Sequence, residues 1–173
     1  MRYGEPPRRG RRLAAAALLA AALAPAGAQQ GPAPVELEAD RVEVDAAAGV
    51  SVYRGDAVLT RGTLRITGER MEVHTDEQGA LQRAIVDGTP ATYRDRPEGQ
   101  PRPVHAEARH LEYHASGPER AHLQGEARLW QGGDVVSAEV IDVDLEAQTV
   151  DARGGEGERA RATLRPGRRE EER

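Results

Sequence analysis

Apolar and polar residues alternate in short runs along the chain from residue 35 onward. Examples are residues 35–39, 50–52, 63–67, 104–106 and 141–145. Successive side chains of an extended strand point to opposite faces, so this period of two predicts strands with one buried face. Glycine-containing turn signals separate the runs, and no stretch after residue 30 has the period of an amphipathic helix. The pattern predicts an all-β domain, as an antiparallel sandwich, barrel or stacked meander.

One β-unit occurs twice in the chain. Three blocks of the first copy recur in the same order 69 or 70 residues later: residues 39–44 and 108–113, residues 55–59 and 125–129, and residues 66–73 and 136–143. Such self-similarity indicates two copies of one supersecondary unit.

The apolar phase switches within each copy of the unit. Val35 and Leu37 alternate in one phase, whereas Val42 and Val44 alternate in the other. One additional residue moves all following side chains to the opposite face of a sheet. We therefore expect a corner or a β-bulge between Ala39 and Val42, and another at the equivalent place in the second copy.

Residues 1–28 have the organisation of a signal peptide. They contain, in order, a basic region, an apolar stretch of twelve residues and a small-x-small cleavage site: Arg8, Arg9, Arg11 and Arg12; residues 13–24; and residues 26–28. The apolar stretch is shorter than the roughly 20 residues that span a bilayer. Cleavage after Ala28 into the periplasm is favoured over an uncleaved membrane anchor.

Composition and charge limit the possible chemistry. The chain has no Cys and no Lys, which excludes a disulfide, a thiolate nucleophile and a P-loop lysine. Removal of residues 1–28 takes away five Arg and one Glu, so the formal charge falls from −5 to −9. An acidic chain is a poor candidate for binding nucleic acid, because contacts of basic residues with phosphate dominate that affinity.

No catalytic or metal site is predicted. The three serines after residue 28 lack a nucleophile motif. His110 and His114 are four residues apart, which on a strand corresponds to about 13 Å and is too far for a shared metal ion. The acidic residues occupy polar positions of the strands and are interpreted as a solvated face. A catalytic pair of carboxylates, as in glycosidases, is not excluded by the sequence, so a periplasmic hydrolase is kept as one alternative.

The apolar positions and the tyrosines Tyr53, Tyr93 and Tyr113 leave two interpretations open. They form either an ordinary sandwich core or a slot between two sheets that stays open for acyl chains.

Four segments of the chain resemble the OstA-like family. They are residues 34–45, 52–66, 86–93 and 105–113. The resemblance extends over nearly all of the chain after residue 28, and includes the order of both repeats. It implies an incomplete β-jellyroll of two antiparallel sheets in a V shape for residues 34–165. Residues 166–173 are charged and are expected to form a disordered tail.

The resemblance also implies a binding site for lipopolysaccharide between the sheets, where the lipid A acyl chains are held. The apolar residues at the corresponding positions are Val35, Leu37, Val44, Tyr53, Leu64, Ile66, Tyr93, Tyr113 and Ala115. Two departures affect the width of the cavity: Tyr53 and Tyr93 stand where Phe is frequent, and Ala115 stands where larger residues are common. No cofactor and no catalysis are implied.

The partners implied by the resemblance are an inner-membrane transport complex with a membrane-anchored OstA-like subunit, an outer-membrane lipopolysaccharide translocon and further copies of the same chain. The first strand, residues 35–39, and the last strands, residues 141–145 and 149–152, contain no proline and are expected to pair head to tail with other strands. Two alternatives stay open: a β-scaffold that carries no lipid, and a membrane-anchored relative of the same fold.

Overall fold

The computed structural model describes residues 33–97 and 99–165, and the predicted signal peptide and charged tail lie outside them. The described residues form ten strands: β1 (Val35–Glu38), β2 (Arg41–Asp45), β3 (Val50–Arg61), β4 (Leu64–Thr75), β5 (Leu81–Asp95), β6 (Val104–His114), β7 (Arg120–Gln131), β8 (Asp134–Asp144), β9 (Thr149–Arg153) and β10 (Arg161–Thr163). All strand pairs are antiparallel, as the alternating pattern predicts.

The six long strands β3 to β8 pair in sequence order, and two short strands cover each side of this group. At one side β1 and β2 both pair with β3, and at the other β9 and β10 both pair with β8. Each long strand therefore contributes one part to each of two halves of the fold. One half contains β2 and β9, and the other contains β1 and β10.

A row of bulges separates these two halves. The register shifts between Arg54 and Ala57 in β3, and at the corresponding places in β4 to β8. We call the half with β2 and β9 sheet A and the half with β1 and β10 sheet B. The two sheets are the arms of a V whose apex is the row of bulges, so the fold is an incomplete β-jellyroll, as the family resemblance implied.

The bulges confirm both the predicted repeat and the predicted corner. Gly55 and Asp56 have positive φ angles of 78° and 44°, and their equivalents 70 residues later, Gly125 and Glu126, have φ angles of 82° and 53°. Glycine adopts this left-handed conformation at little cost, and the extra residue bends the strand. The phase switch after Ala39 is the corner between β1 and β2, where the Asp40 N–H donates to the Gly55 carbonyl oxygen at 3.0 Å.

The core lies between the two sheets. Alternate residues of the long strands point inward, and those with the largest fully buried side chains are Leu59, Ile66, Met71, Val73, Val86, Leu111, Tyr113, Leu123 and Ile141. No polar or charged residue other than tyrosine is fully buried within the described ranges. Burial of these side chains contributes about 1.5–3 kcal/mol each, which is the main stabilisation of a fold without disulfides.

Both sides of the jellyroll end in short strands, but one predicted edge strand is wrong. Residues 141–145 are not an edge, because residues 140–144 of β8 pair with β9 in sheet A. The edges at the C-terminal side are instead β9 and β10. Sequence periodicity predicts strands but does not show which of them is an edge. At the N-terminal side the edges are β1, as predicted, and β2.

Candidate functional site

The inward faces of the two sheets bring most of the predicted site residues together. Five of them are buried between the sheets: Tyr53, Leu64, Ile66, Tyr93 and Tyr113. Three more are partly buried and pack against this core: Val35, Leu37 and Ala115. These eight residues come from β1, β3, β4, β5, β6 and the loop after β6, so only the tertiary structure brings them to one surface.

Val44 is the exception among the predicted site residues. In the register of β2 and β3, Val44 lies opposite Ser51, and Val42 lies opposite Tyr53, so both valines are on the inward face. However, Val44 is 69% exposed and Val42 is 47% exposed, because β2 is the edge of sheet A. Val44 therefore extends the inward apolar face to an uncovered edge and is not part of the core.

Two tyrosines lie between the sheets, and an ion pair lies beside them at the mouth of the slot. The rings of Tyr93 in sheet B and Tyr113 in sheet A are 6.1 Å apart, centroid to centroid. Arg61, at the end of β3 in sheet B, forms an ion pair with Glu119, in the loop before β7 at the far end of sheet A. The Arg61 guanidinium also donates to the Tyr113 hydroxyl at 2.6 Å, and that hydroxyl donates to Glu119 at 2.5 Å.

This arrangement disfavours the charged form of both tyrosines. Burial raises the pKa of Tyr93 and of Tyr113 well above the ordinary value of 10.0, and the hydrogen bond to Glu119 raises the pKa of Tyr113 further. The Tyr113 hydroxyl is hydrogen-bonded, but the buried Tyr93 hydroxyl has no hydrogen-bond partner. Among the described residues, the Tyr93 hydroxyl is therefore a buried hydrogen-bond donor without a partner.

The space between the sheets opens toward the C-terminal side. A cavity of about 340 Å³ lies there, between the far ends of the two sheets. Its aliphatic lining consists of Val104, Leu129 and Val136 from sheet B and of Val143, Leu145 and Val150 from sheet A and its loop, and Pro97 and Trp130 also line it. A volume of this size with a largely apolar lining is typical of small-molecule sites.

The six aliphatic residues of this cavity were not predicted as site residues. The internal repeat contained the signal that identifies three of them, since Leu129, Val136 and Val143 are the equivalents of the core residues Leu59, Ile66 and Val73 at an offset of 70. Val150 had no such signal. It faces inward because it lies opposite Val143, and it is 46% exposed because β9 is an edge.

The outer face of sheet A carries paired charges. His110 and His122 contact Asp87 and Asp142 at 2.7 and 2.6 Å, and His74 contacts Glu72 at 2.9 Å. Within residues 33–97 and 99–165 no three His, Asp or Glu side chains converge as they would around a metal ion. A helix that could cross a membrane is likewise not found in the described part of the chain.

A family model matches residues 36–149, and its description is "LptA/(LptD N-terminal domain) LPS transport protein". This match covers more than half of the sequence and includes both copies of the repeat.

This chain belongs to the LptA/LptD N-terminal domain family. The resemblance seen in the sequence is thereby confirmed.

Two relatives with known names support this membership. The lipopolysaccharide export system protein LptH of Pseudomonas aeruginosa is 31% identical over 119 residues, which are 69% of this chain and 67% of the relative. The lipopolysaccharide export system protein LptA of Escherichia coli K12 is 29% identical over 157 residues, which are 88% and 82% of the two chains. Both names describe components of a lipopolysaccharide export system.

The fold has a solved counterpart in the LptA/LptD N-terminal domain family. The crystal structure of LptH from Pseudomonas aeruginosa, described as the LptA homologous periplasmic component of a conserved lipopolysaccharide transport device, superposes with a TM-score of 0.70 at 28% sequence identity. The superposition covers 78% of this chain and 96% of that chain. The incomplete jellyroll is therefore the fold of this family.

Proposed function

We propose that this protein is a periplasmic lipopolysaccharide carrier that holds lipid A acyl chains between its two sheets and passes the lipid on without making or breaking bonds. The observation that carries the proposal is the inward apolar face, which is a packed core at its centre and an open cavity at the C-terminal side. Membership of a lipopolysaccharide transport family supports the same ligand.

Burial of acyl chains supplies the affinity in this mechanism. Each methylene group that leaves water contributes about 0.8 kcal/mol. The cavity lining needs no specific hydrogen bonds for this, because the hydrophobic effect has no directional requirement. A carrier of this kind has no energy source of its own, so directional transport must be driven by another component, which we expect to be an inner-membrane ATPase.

The nine predicted site residues and the six cavity residues are proposed to form one continuous surface for acyl chains. The exposed valines at the two sides extend this surface to the edges of sheet A, through Val44 in β2 and Val150 in β9. Head-to-tail pairing of β9 and β10 with β1 and β2 of the next copy would join the slots and cover both valines. The two surfaces differ, so the contact is heterologous and permits open chains of molecules.

The same edge strands are proposed to dock with domains of the same fold. On this proposal the N-terminal edge receives lipid from the membrane-anchored subunit of an inner-membrane complex, and the C-terminal edge delivers it to an outer-membrane translocon. We also propose that cleavage after Ala28 releases the protein into the periplasm. Intact-mass measurement on a periplasmic extract tests the cleavage, and full-length protein found only in membranes would refute it.

Two neighbouring valines of β8 provide the test of lipid binding. Val136 lines the cavity, whereas Val135 points outward, opposite Trp130. Val136→Asp places a charge on the proposed acyl-chain surface, where unpaired burial costs several kcal/mol. We expect the Kd for lipopolysaccharide to rise by about tenfold or more in Val136→Asp and to stay within about twofold in Val135→Asp.

Binding is measured by co-elution or fluorescence titration of purified protein with lipopolysaccharide, after thermal unfolding has shown that both variants fold. If the wild type binds no lipopolysaccharide and yields no extracted lipid, the carrier function is wrong and a scaffold function is favoured. Equal effects of the two substitutions would show that the cavity is not the binding surface.

A further inference from the structure

A cationic side chain lies at the end of the inward apolar face. Arg61 follows Ala57 and Leu59 in the alternation of β3, and both of these residues are fully buried between the sheets. Its neighbour across the strands is Leu64, which is also buried. The Arg61 side chain is 25% exposed, so it is held at the mouth of the slot and not free in solvent.

The Arg61–Glu119 ion pair spans the mouth of the slot from one sheet to the other. Arg61 ends a strand of sheet B, Glu119 lies in a loop at the end of sheet A, and Tyr113 hydrogen-bonds to both. A lipid that enters here has to separate this pair. Removal of one partner from a half-buried pair leaves a charge without compensation, so the lipid has to offer Arg61 another anion.

The pair is not required by the fold, because the second repeat builds the same hairpin without it. The equivalents of Arg61 and Leu64 at an offset of 70 are Gln131 and Asp134. Gln131 donates instead to the Arg102 carbonyl oxygen at 3.0 Å, and the mouth beside it is the open cavity. The cation therefore belongs to the first repeat, and its anionic partner Glu119 belongs to the second.

The inward ends of the sheet B strands favour an anion only at Arg61. Asp134 occupies the corresponding position of β8 and would repel an anion there. Asp95 occupies that of β5, two residues from Tyr93 on the same face, and its carboxylate accepts a hydrogen bond from the Thr63 hydroxyl at 2.7 Å. The buried Tyr93 hydroxyl lacks a hydrogen-bond partner among the described residues, and its ring is 6.1 Å from that of Tyr113, whose hydroxyl accepts from Arg61. A buried donor without a partner is costly, and a ligand oxygen would satisfy it.

We propose that Arg61 and Tyr93 form a binding site for a phosphate group of the lipid headgroup at the mouth of the slot. This inference rests on the proposed carrier function. Arg61 leaves Glu119 when lipid enters and donates to the phosphate, for which its planar guanidinium is suited. Glu119 is repelled by the phosphate and moves outward with the loop between β6 and β7. The acyl chains then lie inside the slot and the phosphate at its rim.

The test compares two lipids that differ only in phosphate. Purified full-length protein is titrated with bis-phosphorylated lipid A and with dephosphorylated lipid A of the same acyl composition, and the ratio of the two Kd values is measured. Arg61→Gln should weaken binding of the phosphorylated lipid by about tenfold and leave the dephosphorylated lipid within about twofold. Glu119→Gln should change the Kd in the opposite direction. It should strengthen binding of the phosphorylated lipid by about threefold or more, because Arg61 loses its competing partner.

Tyr93→Phe separates binding from stability. It removes a buried hydroxyl without a partner, so the variant should be as stable as the wild type or more stable, and it should bind the phosphorylated lipid about two- to fivefold more weakly. Arg83→Gln and Glu112→Gln are the matched controls, because Arg83 and Glu112 form an ion pair of similar exposure on the outer face. Neither control should change the ratio of Kd values by more than about twofold.

Each alternative gives a different result. If Arg61→Gln and Glu119→Gln weaken binding of both lipids equally, the pair is only structural and the phosphate site is wrong, while the carrier function stands. If inorganic phosphate alone binds and Arg61→Gln abolishes this binding without changing the lipid ratio, the site takes free phosphate and the lipid assignment is wrong. If the wild type binds neither lipid, the carrier function itself fails, and the phosphate site with it.

Discussion

The two repeats share the same strand arrangement and bulges, but they differ in how completely their side chains fill the space between the sheets. In the first repeat Leu59 is fully buried, and Arg61 at the tip of the β3–β4 hairpin forms an ion pair with Glu119 of the second repeat across the mouth. In the second repeat the equivalent Leu129 is only partly buried, and Gln131 borders an open cavity. Changes at the tip of one hairpin therefore decide whether the same sheet geometry gives a sealed core or an accessible binding surface.

The largest expected difference between the repeats concerns the stability of the core. Leu59→Ala should lower the free energy of unfolding by about 2–5 kcal/mol, because a cavity forms in a packed interior. Leu129→Ala should cost less than about half of this, since the side chain is already partly exposed. Chemical denaturation measures both values. Equal losses would mean that the C-terminal side is as well packed as the centre.

The second comparison concerns the glycines at the corners. Gly55 and Gly125 have φ angles of 78° and 82°, so alanine at either position is strained by about 1–2 kcal/mol. At Gly55 the added Cβ would also overlap the Asp40 carboxylate, whereas at Gly125 it would lie 3.1 Å from Cβ of Arg109. Thermal unfolding should therefore show a larger loss for Gly55→Ala than for Gly125→Ala. The reverse order would show that the structure around Gly55 adjusts to an added Cβ more easily than the structure around Gly125.

The third comparison concerns the exposed inward valines at the two edges. Val44→Asp and Val150→Asp should each weaken head-to-tail association by about tenfold or more, because a charge would be buried in the joint. The stability of the monomer should change by less than about 0.5 kcal/mol, since both side chains are exposed in it.

Sedimentation over a wide concentration range measures this association. The control variants Glu43→Gln and Asp151→Asn change outward neighbours of the two valines and should associate like the wild type. A wild-type protein that stays monomeric at all concentrations, with and without lipopolysaccharide, would contradict the proposed head-to-tail assembly. The protein would then carry lipid as single molecules.

The smallest expected effect is the acid sensitivity of the outer face of sheet A. A hydrogen bond from Arg70 holds the pKa of Glu72 below its ordinary value of 4.5, and a hydrogen bond from His122 holds the pKa of Asp142 below 3.8. A lowered pKa in the folded state contributes stability above the ordinary pKa, and this stability is lost as pH falls through the folded value. Stability should hold from pH 7 to about 5 and decline below that.

The double variant Glu72→Gln and Asp142→Asn tests this assignment. It should reduce the slope of unfolding free energy against pH below about pH 5, with a total effect of less than about 1 kcal/mol because both groups are partly exposed. Unfolding measured at several pH values between 7 and 3 gives the slope. An unchanged slope would assign the acid sensitivity to other carboxylates.

The alternating pattern and the repeat of the sequence determined the all-β fold, the antiparallel pairing, the corner after Ala39 and most of the inward residues. These properties are local, because the face of a strand to which a side chain points follows from its position in the alternation. The family resemblance added the V-shaped arrangement, which period-two alternation alone does not distinguish from a closed sandwich.

Only the tertiary structure decided which inward residues are packed and which are exposed. Val44 and Tyr53 have equivalent positions in the pattern, but Val44 lies on an edge strand and is 69% exposed, whereas Tyr53 is buried. Periodicity likewise could not predict that Arg61 meets Glu119, since these residues are 58 positions apart and on different sheets. Burial and ion pairing depend on what the second sheet places opposite a residue, and that information is spread over the whole chain.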